Sequence, residues 1–199
     1  MKLDTVEVPE TMKEQFESAE EYVRTYFRDL SINPDQGTIT VGGERYIILR
    51  ASAPSVQFLE TVQCMYPALD EDEAREAASR VQYDFARAIG KADARHFIEV
   101  TGVKDVIERL SAGPIHFAYT GWARVVILPT SRPTENEMFF LEYDHINTFE
   151  ADSWLSTRGE TDFCTCYWSA GYSAGWCSES FGLPLDAREV RCRSRGDRT

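Results

Sequence analysis

Between residues 9 and 30, Phe16, Ala19, Val23, Tyr26 and Phe27 recur at helical spacing with Glu and Arg between them. That pattern predicts an amphipathic helix whose apolar face must pack on a core or on another copy of the chain. Asn33-Pro34-Asp35-Gln36-Gly37 is a turn cluster. A hairpin is predicted next, with strands over 38–41 and 45–49 about Gly42-Gly43. A helix carrying Val56, Leu59, Val62 and Met65 is predicted over 55–66 and ends near Pro67. A stronger one follows over 70–89, acid-rich at its start and lined by Ala77, Val81, Phe85 and Ile89. Gly90 reads as a break, with further helices over 92–101 and 103–110, the last closed by Gly113-Pro114.

After Pro114 the period changes. Residues 115–128 are rich in aromatic and β-branched side chains and predict a strand kinked at Gly121. A loop over 129–136 leads to a returning strand over 138–143. Helices are predicted over 149–156 and 166–181, a short strand over 185–192, and a turn over 193–199. Helices, an antiparallel pair, a helix and a strand, in that order, make an α+β fold.

Composition adds exclusions. The chain has 199 residues, enough for one sizeable core, and its 43% hydrophobic and 27% charged residues are a globular balance. No apolar run approaches the roughly 20 residues that cross a bilayer. The opening stretch MKLDTVEVPE has no basic segment followed by an apolar one, so a cytoplasmic location is expected. A net charge of −12 argues against direct nucleic-acid binding. Arg188, Arg191, Arg193, Arg195 and Arg198 are a local exception, read as a solvated strand face or a linker. No nucleophile elbow, P-loop or dinucleotide fingerprint is present. Asp144, His145 and Glu150 could move protons, but no nucleophile pattern accompanies them. The chain is therefore expected not to be an enzyme.

Two groups of residues could bind something. Of the cysteines at 64, 164, 166, 177 and 192, four lie in the last quarter. Such clustering suggests a metal or free thiols before disulfides. Cys166, Glu189 and Cys192 offer a thiol, a carboxylate and a thiol, the last two close enough in sequence for one local element to present both. Zinc accepts such donors; equally, the cysteines could be small buried hydrophobes and the glutamate a surface residue. The second group is aromatic: Phe117, Tyr119, Trp122, Phe139, Phe140, Tyr143 and His145. An apolar, aromatic pocket with one or two placed polar groups is the usual small-molecule site, and His116 and His145 are the candidate donors.

These segments carry a resemblance. CYWSAGYSAGWCSESFGLPLDAREVRCRSRGD, residues 166–197, resembles the 4-vinyl reductase domain. SAGPIHFAYTGW at 111–122 and NTFEADSWL at 147–155 resemble the N-terminal sensor region of XylR/DmpR-type activators and related sensor kinases. The likeness covers roughly residues 45–199 and is most specific in the G-Y-S-x-G-W block and the E-x-x-C pair. It implies a homodimer with an α+β fold like that of TRAPP transport subunits. Residues 1–50 would form a dimerising helix and hairpin, and 51–199 the ligand-sensing domain, with a metal-binding element over 165–199. It also implies an enclosed hydrophobic pocket for a small effector, and a zinc.

Carried across by motif, the zinc ligands fall on Cys166, Glu189 and Cys192, with the fourth just beyond Thr199. Without it, Cys164, Cys177 or Asp197 would have to substitute. An ungapped alignment on Ala112-Gly113-Pro114 and Gly121 places the pocket histidine of phenol-sensing relatives on Phe117, one after His116. The tryptophan of their next strand falls on His145, the helix residue lining the pocket on Leu110, and the inner strand aromatic on Tyr143. On a strand, a one-residue offset turns His116 to the opposite face. The implied ligand set is Leu110, His116, Phe117, Trp122, Tyr143 and His145, and the implied effector is small, hydrophobic or aromatic, and other than phenol. The implied function is effector sensing that controls an attached output domain, expected outside these residues because the chain stops abruptly at Arg-Gly-Asp-Arg-Thr. The competing readings are a reductase-like enzyme and an acyl-chain-binding scaffold module.

Overall fold

The computed structural model describes residue 3 and residues 5–198. Part of the stretch read for a leader, and the terminal residue beside the expected fourth metal ligand, lie outside these residues.

A short strand β1 (Val6–Glu7) and a 3-10 turn (Glu10–Met12) precede helix α1 (Lys13–Arg28). The helix buries Phe16, Ala19, Val23 and Tyr26, as its pattern requires. Of the two partners the pattern left open, it takes this chain's own core, where those residues join Phe97, Ile115, Phe117, Tyr172 and Trp176 in one cluster. The hairpin is part of a three-stranded antiparallel meander, β2 (Ser31–Asn33), β3 (Thr38–Val41) and β4 (Glu44–Tyr46). After a π-turn (Ala53–Gln57) comes helix α2 (Phe58–Cys64).

Helix α3 (Glu71–Thr101) starts at a capping box, in which the Asp70 side chain accepts from the Glu73 N–H and Glu73 reaches back to the Asp70 N–H. It runs unbroken through Gly90, against the expected break there. The reason is tertiary. A Cβ at Gly90 would lie 2.2 Å from the Tyr172 carbonyl oxygen, so this glycine lets α3 and helix α6 (Tyr167–Phe181) approach backbone to backbone. Gly171 and Gly175 do the same from the α6 side, against the Tyr83 and Arg87 carbonyls. The roughly 1 kcal/mol that a helical glycine costs is offset by this close packing.

Helix α4 (Val106–Tyr119) is the larger correction. It passes through Gly113-Pro114, where an end was expected, and takes in 115–119, where a strand was expected. Pro114 gives up one intrahelical hydrogen bond. Trp176 packs against this turn, occupying the space a Gly113 side chain would need, and its Nε1–H donates to the Arg109 carbonyl at 2.9 Å. Burial of Ile115, His116 and Phe117 then overrides their strand propensity. The helix closes in a Schellman motif at Gly121 (φ 79°): Gly121 N–H donates to Ala118 O, and Trp122 N–H to Phe117 O.

The strand that remains is β5 (Arg124–Ile127). It pairs antiparallel with β6 (Tyr143–Ile146), and β1 pairs parallel on its other side, giving the order β1-β5-β6. Residues 138–142, expected to be the returning strand, contribute one bridge, Arg132 to Phe140. Helix α5 (Phe149–Arg158) leads to α6. Residues 185–192 form no strand. They are held by Arg87, which donates to Asp186 and to the Leu185 carbonyl, and by Tyr83, whose hydroxyl accepts from the Ala187 N–H. A 3-10 turn (Arg193–Arg195) follows. The C-terminal arginines are not a free basic face: Arg191 pairs with Asp144, Arg193 with Asp152 and Arg195 with Asp197. The fold is mixed α+β, and no helix among the described residues is long and apolar enough to cross a membrane.

Candidate functional site: an aromatic cavity and a thiol corner

Strand alternation puts Tyr143 and His145 of β6 on the same face as their partners Ile127 and Val125 of β5. Against that face lie Leu110, Gly113, Pro114 and Phe117 of α4 and Tyr172, Ser173, Trp176 and Cys177 of α6. Between them is a cavity of about 30 Å³, room for one or two waters. It adjoins a cleft of about 480 Å³ between 139–145, α6 and the 185–193 segment. Leu141, Tyr143, His145, Ser173 and Cys177 line both spaces, so the cleft is the natural way in.

Four of the six residues implied as ligand contacts therefore meet: Leu110, Phe117, Tyr143 and His145. The His145 ring lies 4.9 Å from those of Phe117 and Tyr143. Burial lowers its pKa to about 4, so the imidazole is neutral at pH 7. It has no hydrogen-bond partner among the described residues. Burial pushes the Tyr143 phenol up, with the Ser173 side chain hydrogen-bonding it, and lifts the Cys177 thiol to about 12. The walls hold no charge.

His116 and Trp122 lie elsewhere. Because 115–119 is helical, the step from Phe117 to His116 is a rotation of about 100°, not a flip across a strand. It takes His116 into the core between Tyr26, Phe27, Tyr172 and Trp176. There its Nδ1 meets the Tyr172 hydroxyl at 3.1 Å, and that hydroxyl donates to Asp93 at 2.9 Å. With the phenol proton given to Asp93, the hydroxyl oxygen accepts from His116 Nδ1–H, which fixes the tautomer. Burial lowers the His116 pKa to about 3. Trp122 packs on Phe117, Phe149 and Tyr172, behind the cavity wall. The α6 contributors, Tyr172, Ser173, Trp176 and Cys177, were not singled out from sequence as ligand contacts. Their signal was the small-aromatic spacing of Gly-Tyr-Ser-Ala-Gly-Trp-Cys, which places one face of a helix against its neighbours.

At the other end of α6, Cys166, Glu189 and Cys192 bring their ligand atoms within 4.8 Å of one another. Cys166 precedes the first residue of α6; its N–H donates to Glu189 Oε2 at 2.9 Å, and its Sγ lies 3.9 Å from Cys192 Sγ. Hydrogen bonding from Cys166, then from Glu189 and Ser194, pulls the Cys192 thiol well below its ordinary range. Burial raises the Glu189 carboxyl well above the usual carboxylate range. Of the possible fourth donors, Cys164 packs on the cluster. Asp197 is already engaged by the Cys192 N–H and by Arg195. Cys177 is on the cavity wall. Glu150, read from sequence as a possible acid–base group, is fully buried and accepts from the Trp168 and Ser169 N–H groups at 2.8 Å each. It caps the N-terminus of α6, and burial lifts its pKa to about 7.

No family model matches the chain. Among curated proteins, the phenol regulator MopR of Acinetobacter guillouiae is 28% identical over 90 residues, which is 45% of this chain and 16% of that regulator's length. Among solved structures, the phenol-responsive sensory domain of the transcription activator PoxR, crystallised with phenol, superposes with a TM-score of 0.75 at 21% identity. The match covers 90% of this chain and 86% of that one, which establishes a shared fold.

Proposed function

We propose that this chain is the effector-sensing domain of a regulatory protein: it binds a small hydrophobic or aromatic molecule and controls an attached output domain, without catalysing a reaction. The observation that carries this is His145, a neutral imidazole on the wall of an uncharged aromatic cavity, with no partner of its own. The half-buried imidazole has an open donor and an open acceptor, and a ligand hydroxyl or carbonyl would supply a bond to it. Phe117, Tyr143, Leu110 and Trp176 would enclose the ring. The cavity as it stands is smaller than an aromatic ring, so binding opens it toward the cleft. The likeness to MopR and PoxR supports the same reading, as does the resemblance of the C-terminal block to 4-vinyl reductase domains.

Tyr172 offers a route for the signal. Its ring lines the cavity, while its hydroxyl holds His116 and Asp93 in the core. A ligand that moves the ring changes the packing of α3 and α4 on α6.

The test is a thermal-shift series with small aromatics, phenol among them. The expected result is stabilisation by at least one compound, about 3 kcal/mol at a hundredfold excess over Kd, and its loss in His145→Phe. No stabilisation by any compound would sink this reading.

The Cys166, Glu189 and Cys192 corner fits a zinc ion: the donor types and their convergence are those of a structural site. Bound there, the metal would tie the start of α6 to the C-terminal segment. Elemental mass spectrometry should find about one zinc per chain in the purified protein, lost in Cys166→Ser.

A further inference from the structure

The 185–193 segment is one side of the cleft that opens onto the cavity. Over 185–192 it forms no helix or strand, yet it is pinned. Arg87 donates to the Leu185 carbonyl and to Asp186, the Ala187 N–H donates to Tyr83, and Glu189 accepts from the Cys166 N–H. Arg188 is thus carried on a backbone held on both sides.

The other charged side chains lining the cleft are already engaged. Glu142 accepts from the Thr130 hydroxyl, Asp144 pairs with Arg191, Asp186 with Arg87 and Arg193 with Asp152, and Glu189 is held at the thiol corner. Arg188 lines the same cleft, is exposed to solvent, and has no ion pair or hydrogen bond among the described residues. In a chain with 33 acidic and 21 basic residues, carboxylates are in ample supply. A cation left over at a cleft in such a chain is therefore informative.

The two spaces add a direction. The inner cavity holds about 30 Å³ and the cleft about 480 Å³. A ring bonded to His145 takes up the inner space. A substituent on its far side then runs into the cleft past Ser173 and Cys177, which line both. We propose that the effector is an aromatic carboxylate, its ring and hydroxyl at His145 and its carboxylate, on a short spacer, at Arg188. This rests on the effector reading and adds the chemical class. A guanidinium offers a carboxylate two parallel donors, and at the open side of the cleft neither charge has to be stripped of water.

Isothermal titration calorimetry on the purified chain at neutral pH tests this with matched pairs of increasing spacer length. The pairs are para-hydroxybenzoate with para-cresol, para-hydroxyphenylacetate with para-ethylphenol, and para-hydroxyphenylpropionate with para-propylphenol. Within each pair only the carboxylate differs from a methyl group. At the spacer length that reaches Arg188, the acid should bind about fivefold tighter or more than its neutral match. Added salt should shrink that preference. Arg188→Gln should bring the pair within about twofold of one another, and Arg188→Glu should reverse the order. Because Arg188 makes no bond within the described chain, both variants should fold, which circular dichroism checks. Acids that bind no tighter than their neutral matches at every length would overturn the proposal, as would a preference that survives Arg188→Gln. Phenols that bind through His145 with no preference for the acid sink this inference and leave the effector reading standing. No binding by either member of any pair sinks both.

Discussion

The two histidines of the central region are alike in type and in charge state, yet they sit in opposite settings: His116 is fully buried and His145 only partly. His116, on α4, is locked by the Tyr172 hydroxyl, which Asp93 holds in turn. His145, on β6, is one wall of the cavity and has no partner. Burial alone keeps both neutral. The difference teaches that depressed pKa is a poor guide to a binding site here. The informative quantity is whether the polar atoms are already satisfied: a satisfied imidazole specifies packing, and an unsatisfied one facing a space is free to recognise a ligand.

Acid breaks both sites at once and should have the largest effect. Each histidine has a folded pKa below its ordinary 6.5, so the unfolded chain binds more protons as pH falls. The stability due to neutral burial is complete above pH 6.5 and is lost as pH drops toward 4 for His145 and 3 for His116. At about 1.4 kcal/mol per pKa unit, the two together remove several kcal/mol by pH 4. Urea midpoints measured across that range should fall, and the double variant H116Q/H145Q should flatten the slope.

Tyr172→Phe separates the two settings. It keeps the ring that lines the cavity and removes the hydroxyl that serves His116 and Asp93, leaving a largely buried carboxylate short of a donor. A loss of about 2 kcal/mol is expected, read by denaturant unfolding, with ligand-induced stabilisation retained. The smallest effect on stability belongs to His145→Phe. With no bond to lose, the unliganded protein should change by less than about 1 kcal/mol, although the response to ligand disappears.

Much of this was legible in the chain. The face of α1, the Gly42-Gly43 hairpin, the acid-rich start of α3 and the closeness of Glu189 to Cys192 follow from local spacing, while the meeting of that pair with Cys166 was what the resemblance implied. Gly90 and Gly113-Pro114 misled for a shared reason: each reads locally as a helix end, but each is a small or donor-less residue where α6 presses against its neighbour. The same error carried Ile115–Tyr119 into a strand and assigned His116 to the wrong surroundings. Strand β1 went unseen because two residues pairing in parallel with a partner some 120 positions away leave no local pattern.

The sequence by itself determined which residues could do chemistry: an aromatic set with two histidines, and a thiol-carboxylate-thiol set near the C-terminus, in a chain without a catalytic pattern. Residue type and short-range spacing carry that information. Only the tertiary structure decided which histidine faces a space and which is spent on the core. That outcome depends on the rotation of α4 against α6, set by Trp176 over Gly113 and by the glycine seam with α3, contacts between residues tens of positions apart.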